Sequence, residues 1–273
     1  MLAAAAVAGC MVFPASSPWN QRVDTAPARP GSDAMVAAIG PGDTVHADFG
    51  SGRYDGGPIG IPYQVVTNKT PKRRFSFEYA DESDKGPYPI PARPKIEFGS
   101  DHHLLAVNKD TCKLYELFAV DGRHAGSGAI FNLRSNRLRP KGWTSADAAG
   151  LPILPGLARY DEVKRGAINH ALRFTVARTR NAFVFPARHF ASDLSDPDLP
   201  AMGQRFRLKA NVSLDRLGPQ AKIVATALKR YGMIVADNGS NWFISGAPSP
   251  GWDNDDLHTL GTLKGSDFEV VKE

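Results

Sequence analysis

The chain has 273 residues, 42% of them hydrophobic, with Lys and Arg (33) outnumbering Asp and Glu (28) for a net charge of +5. These values exclude a disordered chain and suit one large domain or two small ones with a substantial core. The basic residues are scattered except for Lys72-Arg73-Arg74, so nucleic acid is not an expected partner.

The chain opens on "LAAAAVAGC", a short apolar stretch whose Val7-Ala8-Gly9-Cys10 resembles a bacterial lipobox. Residues 1–16 therefore read as an export segment, with a lipid anchor at Cys10 as the expected membrane attachment and the cell envelope or exterior as the expected location. The stretch is too short to span a bilayer as a helix. With Cys10 so used, Cys112 is alone in the remaining domain, 17–273; a Cys10–Cys112 disulfide is the alternative.

Residues 17–60 are rich in Pro, Gly, Ser and Asp. They carry one helix signal, "GSDAMVAAIG", which Ser32 can cap and Gly40 can stop. Strands are expected at 61–67, 73–79, 103–108, 112–120, 129–133, 168–176, 182–186, 205–210, 233–237, 241–245 and 267–271. The stretch "DESDKGPYPIPARP" at 81–94 reads as a surface excursion. A helix is expected at 219–231, where Pro219 suits the first turn, Ile223, Val224, Ala227, Leu228 and Tyr231 form a stripe, and Gly232 ends it. In "YGMIVADNGSNWFISG", Asn238-Gly239 between two β-type runs predicts a hairpin with Gly239 at positive φ. Abundant Gly (26) and Pro (21) agree with a mainly β fold: an antiparallel two-sheet sandwich or jelly roll with one packed helix.

Polar residues on apolar strand faces mark candidate chemistry, because a buried charge is either paired or functional. In "CKLYELFAV" the apolar set Cys112, Leu114, Phe118, Val120 contains Glu116, and in "INHALRFTV" the set Ile168, Leu172, Phe174, Val176 contains His170. A hairpin around Asn108–Thr111 would set Val107 opposite Cys112, Leu105 opposite Leu114 and His103 opposite Glu116. That pair is a buried ion pair, an acid/base pair or two metal ligands. A divalent metal becomes possible if His46, Asp48, His103, Glu116 or His170 converge, although no strong ligand spacing is present.

Asp147 and Asp237 are loop carboxylates suited to a paired-carboxylate mechanism, and both also fit ordinary turns. His189 and Arg188, at the end of an apolar run, could meet an anionic substrate. Trp143, Tyr160 and Trp242 are candidate sugar platforms or core residues.

The motifs "GSGRYDGGPIGIPY", "DHHLLAVNKDTCKLYELFA", "AGLPILPGLARYDEV" and "RYGMIVADNGSNWFISGAP" resemble a family of exported bacterial proteins without an assigned activity. The resemblance covers nearly everything after residue 17 and transfers no catalytic residue. Two functions follow from the residues. One is an exported polysaccharide-active enzyme, a glycoside hydrolase or polysaccharide lyase. In it His103, Glu116, His170, Asp147 and Asp237 are catalytic candidates, and His189, Arg188, Trp143, Tyr160 and Trp242 line the substrate cleft. The other is a non-catalytic envelope lipoprotein that binds a glycan or protein partner.

Overall fold

Short β-branched and aromatic runs separated by Gly, Pro and Asn turns build most of the chain. The computed structural model describes residues 6–272. The longer strands in chain order are β1 (His46–Asp48), β2 (Tyr63–Val66), β3 (Leu104–Asn108), β4 (Lys113–Phe118), β5 (Ser127–Asn132), β6 (Leu172–Val176), β7 (Arg205–Leu208), β8 (Met233–Asn238), β9 (Phe243–Ser245) and β10 (Phe268–Val270). The α-helices are α1 (Ser32–Ile39), α2 (Tyr160–Lys164), α3 (Pro219–Arg230) and α4 (Asn254–His258). The fold is mainly β.

Two sheets carry it. One has the order β5-β4-β3-β2 and the other β10-β7-β8-β6-β9-β1. Leu105, Val107 and Leu114 of the first share one buried core with Leu172, Phe174, Val235 and Ile244 of the second. Neither sheet is purely antiparallel, in contrast to the expectation: β2 runs parallel to β3, β6 to β8, and β9 to β1. These parallel pairs join segments far apart in the sequence, which local turn signals do not specify.

The two expected helices form. Alpha-3 starts at Pro219 and buries Ala221, Val224, Ala225, Ala227 and Leu228. Gly232 follows at φ 70, and a Cβ there would lie 2.3 Å from the Phe206 carbonyl oxygen, so only glycine fits. In α1, Gly40 closes the helix at φ 132 as expected, while the N-cap is Gly31. The Ser32 hydroxyl instead accepts the Val270 N–H, tying α1 to β10.

The hairpin expected at 231–246 does not form. Beta-6 lies between β8 and β9, so these two strands are not neighbours. The chain from 239 to 242 passes over the end of β6 instead: Gly239 N–H donates to Val176 O, Trp242 N–H donates to Thr175 O, and the Asn241 side chain accepts from Ala177 N–H. Gly239 is not at positive φ; Trp242 takes the left-handed conformation at φ 60. The Asn-Gly pair serves a crossing, not a type I′ turn.

The β3–β4 hairpin forms with a register two residues from the expected one. Asn108 pairs with Lys113, Val107 with Leu114 and Leu105 with Glu116. The cause is Cys112, which sits at φ 52 and belongs to the turn, while Asn108 Oδ1 accepts the N–H groups of Asp110 and Thr111. His103 consequently does not face Glu116.

Residues 6–16 belong to the fold, which corrects the placement of this stretch outside it. Val7, Cys10, Val12 and Phe13 are buried in the main core, and Cys10 is disulfide-bonded to Cys112 with a Cα separation of 5.5 Å. A bridged sulfur has no thiol to accept a lipid, so the anchor at Cys10 is corrected to a disulfide that closes a loop of 102 residues. Residues 1–5 of that segment lie outside the described residues. The excursion at 81–94 also contributes a core: Tyr88 and Ile90 pack with Val66, Leu104, Ala106 and Leu117 in a second cluster. No strand of the expected kind forms at 182–186, where Phe183 makes only an isolated bridge to Met202.

Candidate active site

Burying a charge is costly, so the buried ionisable residues show where the fold has invested in polar contacts. One of them is Arg173 on β6, which is buried together with Asp147. Its Nε and Nη2 donate to Asp147 Oδ2 and Oδ1 at 2.9 and 2.8 Å, a bidentate pairing. Nη2 also reaches Asp237 Oδ2 at 3.3 Å, and Nη1 donates to Ser245 Oγ at 2.5 Å. Beta-6, β8 and β9 lie side by side, so they bring Arg173, Asp237 and Ser245 together. The loop after β5 delivers Asp147. The two loop carboxylates singled out in the sequence thus meet on one guanidinium.

Asp147 and Asp237 differ in their surroundings. Asp147 is wholly buried. Asp237 lies at the end of β8 and lines a cavity of about 300 Å³ shared with Tyr79, Glu82, Phe118, Ser127, Thr144, Ser145 and His189. Desolvation and the neighbouring Asp147 charge push the Asp237 carboxyl up to about 7, against the opposing pull of Arg173. Near neutrality a carboxyl of this kind is divided between its protonated and ionised forms, and below that it carries a proton.

Glu82 and His189 share the cavity. Glu82 Oε2 accepts the Thr144 N–H at 2.8 Å and lies 3.7 Å from His189 Nε2. His189 Nδ1 donates to Ala148 O at 2.8 Å, which turns Nε2 toward Glu82. The cavity therefore brings together two carboxyl groups and an imidazole, with Tyr79 and Phe118 as aromatic walls. No Lys or Arg lines it.

The other catalytic candidates, His103, Glu116 and His170, are not among the residues lining this cavity. His103 is buried, its Nδ1 bonded to Glu97 and its Nε2 3.0 Å from Ala146 O. Burial lowers the imidazole, but the Glu97 contact outweighs that and raises it. Glu116 is buried without an ionic partner and accepts the N–H groups of Ile153 and Leu154 at 2.9 Å. Desolvation lifts it to about 7. It ties the chain at Ile153 and Leu154 to β4, and the expected direct pairing of His103 with Glu116 does not form, because the register is shifted and His103 bonds Glu97 instead.

His170 is buried against Glu162 and Arg159, each 3.1 Å from Nε2, and its Nδ1 lies 2.8 Å from Ala171 O. Glu162 would be raised by burial, but Arg159 and His170 bring it down to about 2. This triad ties α2 to the start of β6 and is away from the Asp237 cavity.

Of the substrate-binding candidates His189 lines the cavity, whereas Arg188, Trp143, Tyr160 and Trp242 do not. Trp242 is fully buried, stacked on Phe174 and Phe268, with its indole N–H on Gly40 O. Tyr160 packs edge-on against Trp252, Trp143 lies under the Arg139 guanidinium, and Arg188 Nε donates to Arg139 O. His46 stacks on Phe243 at 4.2 Å. Asp48 lines a separate acidic cleft with Asp55, Glu97 and Asp101, where desolvation raises its carboxyl. Among the described residues no group of three or more His, Cys, Asp or Glu side chains could hold a metal ion. The condition set for a metal through His46, Asp48, His103, Glu116 and His170 is not met.

Sequence reasoning missed Arg173, Glu82 and Glu97. Arg173 carried a signal: it is a charge inside the apolar run "HALRFTV", on the face opposite His170. Glu82, in a segment read as surface, carried none. Comparison with family models, curated proteins and solved structures gives no match to this chain.

Proposed function

We propose that the protein is an exported glycoside hydrolase whose proton donor is Asp237. The observation that carries this reading is a carboxyl raised to about 7, opening onto a cavity that also holds Glu82 and His189. A glycosidase needs one carboxyl protonated and one ionised on either side of the scissile bond. Asp237 gives its proton to the leaving glycosidic oxygen, and Arg173 at 3.3 Å stabilises the carboxylate that remains. Glu82 serves the other side of the sugar, as base to a water or as nucleophile, with His189 beside it. Tyr79 and Phe118 offer the apolar faces on which a pyranose stacks.

Hydrolysis is favoured over elimination. A lyase acting on a uronate needs a cation at the carboxylate, and the cavity lining has none. Arg188, the sequence-based candidate for that task, is directed to the Arg139 carbonyl. The disulfide supports export, since such bonds persist in oxidising compartments. In this reading the two sheets sharing one core form a sandwich, with the cavity where loops meet at the end of β8.

A second reading, a non-catalytic glycan-binding protein of the envelope, is favoured by the structural roles of His103, Glu116 and His170. Reducing-end release from a panel of neutral polysaccharides separates the two. The hydrolase reading predicts release by the wild type and a loss of about 10²–10⁴-fold in Asp237→Asn, the contribution of an acid/base group. Saturable binding without release supports the second reading.

A further inference from the structure

Beta-2 is the terminal strand of its sheet. Its sequence Tyr63-Gln64-Val65-Val66 contains no charge and no proline, the usual devices that blunt an edge against another chain. The Val66 carbonyl accepts the Lys109 N–H beyond the end of β3. By the two-residue alternation of a strand, Gln64 and Val66 face β3, and the N–H and C=O groups of Tyr63 and Val65 face away from it.

That outer edge borders a groove of about 880 Å³, lined by Tyr63, Gln64 and Val65 and walled by Pro62, Pro94 and Pro248. Proline walls are stiff and donate no hydrogen bonds of their own, so the groove is preformed. Val65 is 48% exposed. Gln64 is buried, and its Oε1 accepts the Lys95 N–H, which fixes the amide orientation and leaves Nε2 as a buried donor without an acceptor. Among the described residues no carboxylate lines the groove, and Lys95 is its one charged residue.

We propose that this groove binds an extended polypeptide segment carrying an acidic side chain, which adds to the sheet as a fifth strand beside β2. Outward N–H and C=O pairs at every second residue match a main chain in β conformation, apolar Val65 suits a β-branched neighbour, and Lys95 complements the acid. A glycan would use few of these groups: among the described residues Tyr63 is the only aromatic residue in the groove, and no carboxylate lines it.

The test uses the folded protein and a fluorescein-labelled peptide, acetyl-Thr-Val-Asp-Val-Thr-amide, with a version N-methylated at alternate amides as control. The expected result is binding with Kd below about 1 mM, weakened about tenfold or more by N-methylation, which deletes the main-chain donors. Val65→Pro removes an outward donor while sparing the bonds to β3 and should abolish binding. Val65→Lys, which places a charge on the edge, should do the same if the proline variant folds poorly. Hydrogen exchange at the Val65 amide should slow on saturation with the unmethylated peptide. Equal affinity for both peptides, or unchanged exchange at Val65, overturns the proposal. Slowing by cellohexaose instead assigns the groove to a glycan, and a dimer abolished by Val65→Lys assigns it to a second copy; either result also overturns it.

Discussion

Replacing Asp147 by Asn should lower the pKa of Asp237. Asp147 Oδ1 and Asp237 Oδ2 share Arg173 Nη2 at 2.8 and 3.3 Å. Their oxygens are thus at most about 6 Å apart, where one charge shifts the other by about 3 kcal/mol at an effective dielectric constant of about 20, or about two pH units. Asp147 raises Asp237, so removing its charge moves the Asp237 midpoint from about 7 toward the ordinary carboxylate range. Asn is nearly isosteric and keeps one carbonyl for Arg173, which also retains Ser245 and Asp237. The fold should survive with a loss of about 1–3 kcal/mol. The assay is the pH dependence of the Asp237 carboxyl carbon shift in labelled protein, assigned by its absence in Asp237→Asn. A midpoint in Asp147→Asn equal to or above that of the wild type would refute the claimed coupling. In the same variant the descending limb of hydrolytic activity should move from about pH 7 to lower pH, because the donor ionises earlier.

Three further outcomes follow from the same contacts. Cys112→Ser, or reduction of the disulfide, should cost about 4–5 kcal/mol by releasing a loop of 102 residues in the unfolded chain, read as a fall in the denaturant midpoint. Glu116 is raised in the folded state, so its contribution to stability is highest below its unfolded value of 4.5 and is lost as pH rises to about 7. Glu116→Gln should flatten that decline, which amounts to about 3 kcal/mol, in urea melts between pH 4.5 and 7.5. Arg173→Met should destabilise by about 3–5 kcal/mol, since it leaves Asp147 buried without its cation, and should raise Asp237 where Asp147→Asn lowers it.

What the sequence discloses here is local. Pro219 and Gly232 bracket α3, Gly40 stops α1, and short apolar β-type runs mark β3, β4 and β8, because each signal acts within a few residues. Asp147 and Asp237 stood out as carboxylates, and both reach Arg173. Their meeting depends on β6 inserting between β8 and β9, a parallel and antiparallel pairing that no turn dictates. For the same reason Asn238-Gly239 misled: its hairpin preference yields to the long-range pairing of β6. The His103–Glu116 register failed by two residues, as Cys112 took a left-handed conformation in the turn where it is bridged to Cys10. Glu82 was hidden because its neighbours Tyr88 and Ile90, in a Pro-rich segment, form a core of their own. Trp242 looked like a platform because an aromatic residue beside polar loop residues has the same pattern whether it faces a cleft or the core.

The central claim is that Asp237 is a proton donor in a sugar-cleaving cavity, and the most direct measurement is reducing-end release across pH 4–9 by wild type and Asp237→Asn on neutral polysaccharides. The account predicts cleavage by the wild type that declines as pH rises through about 7, when the Asp237 proton is lost. It also predicts a loss of at least about 100-fold in Asp237→Asn at unchanged thermal stability. Release by Asp237→Asn equal to that of the wild type, or a wild-type profile with no descending limb near pH 7, would contradict it.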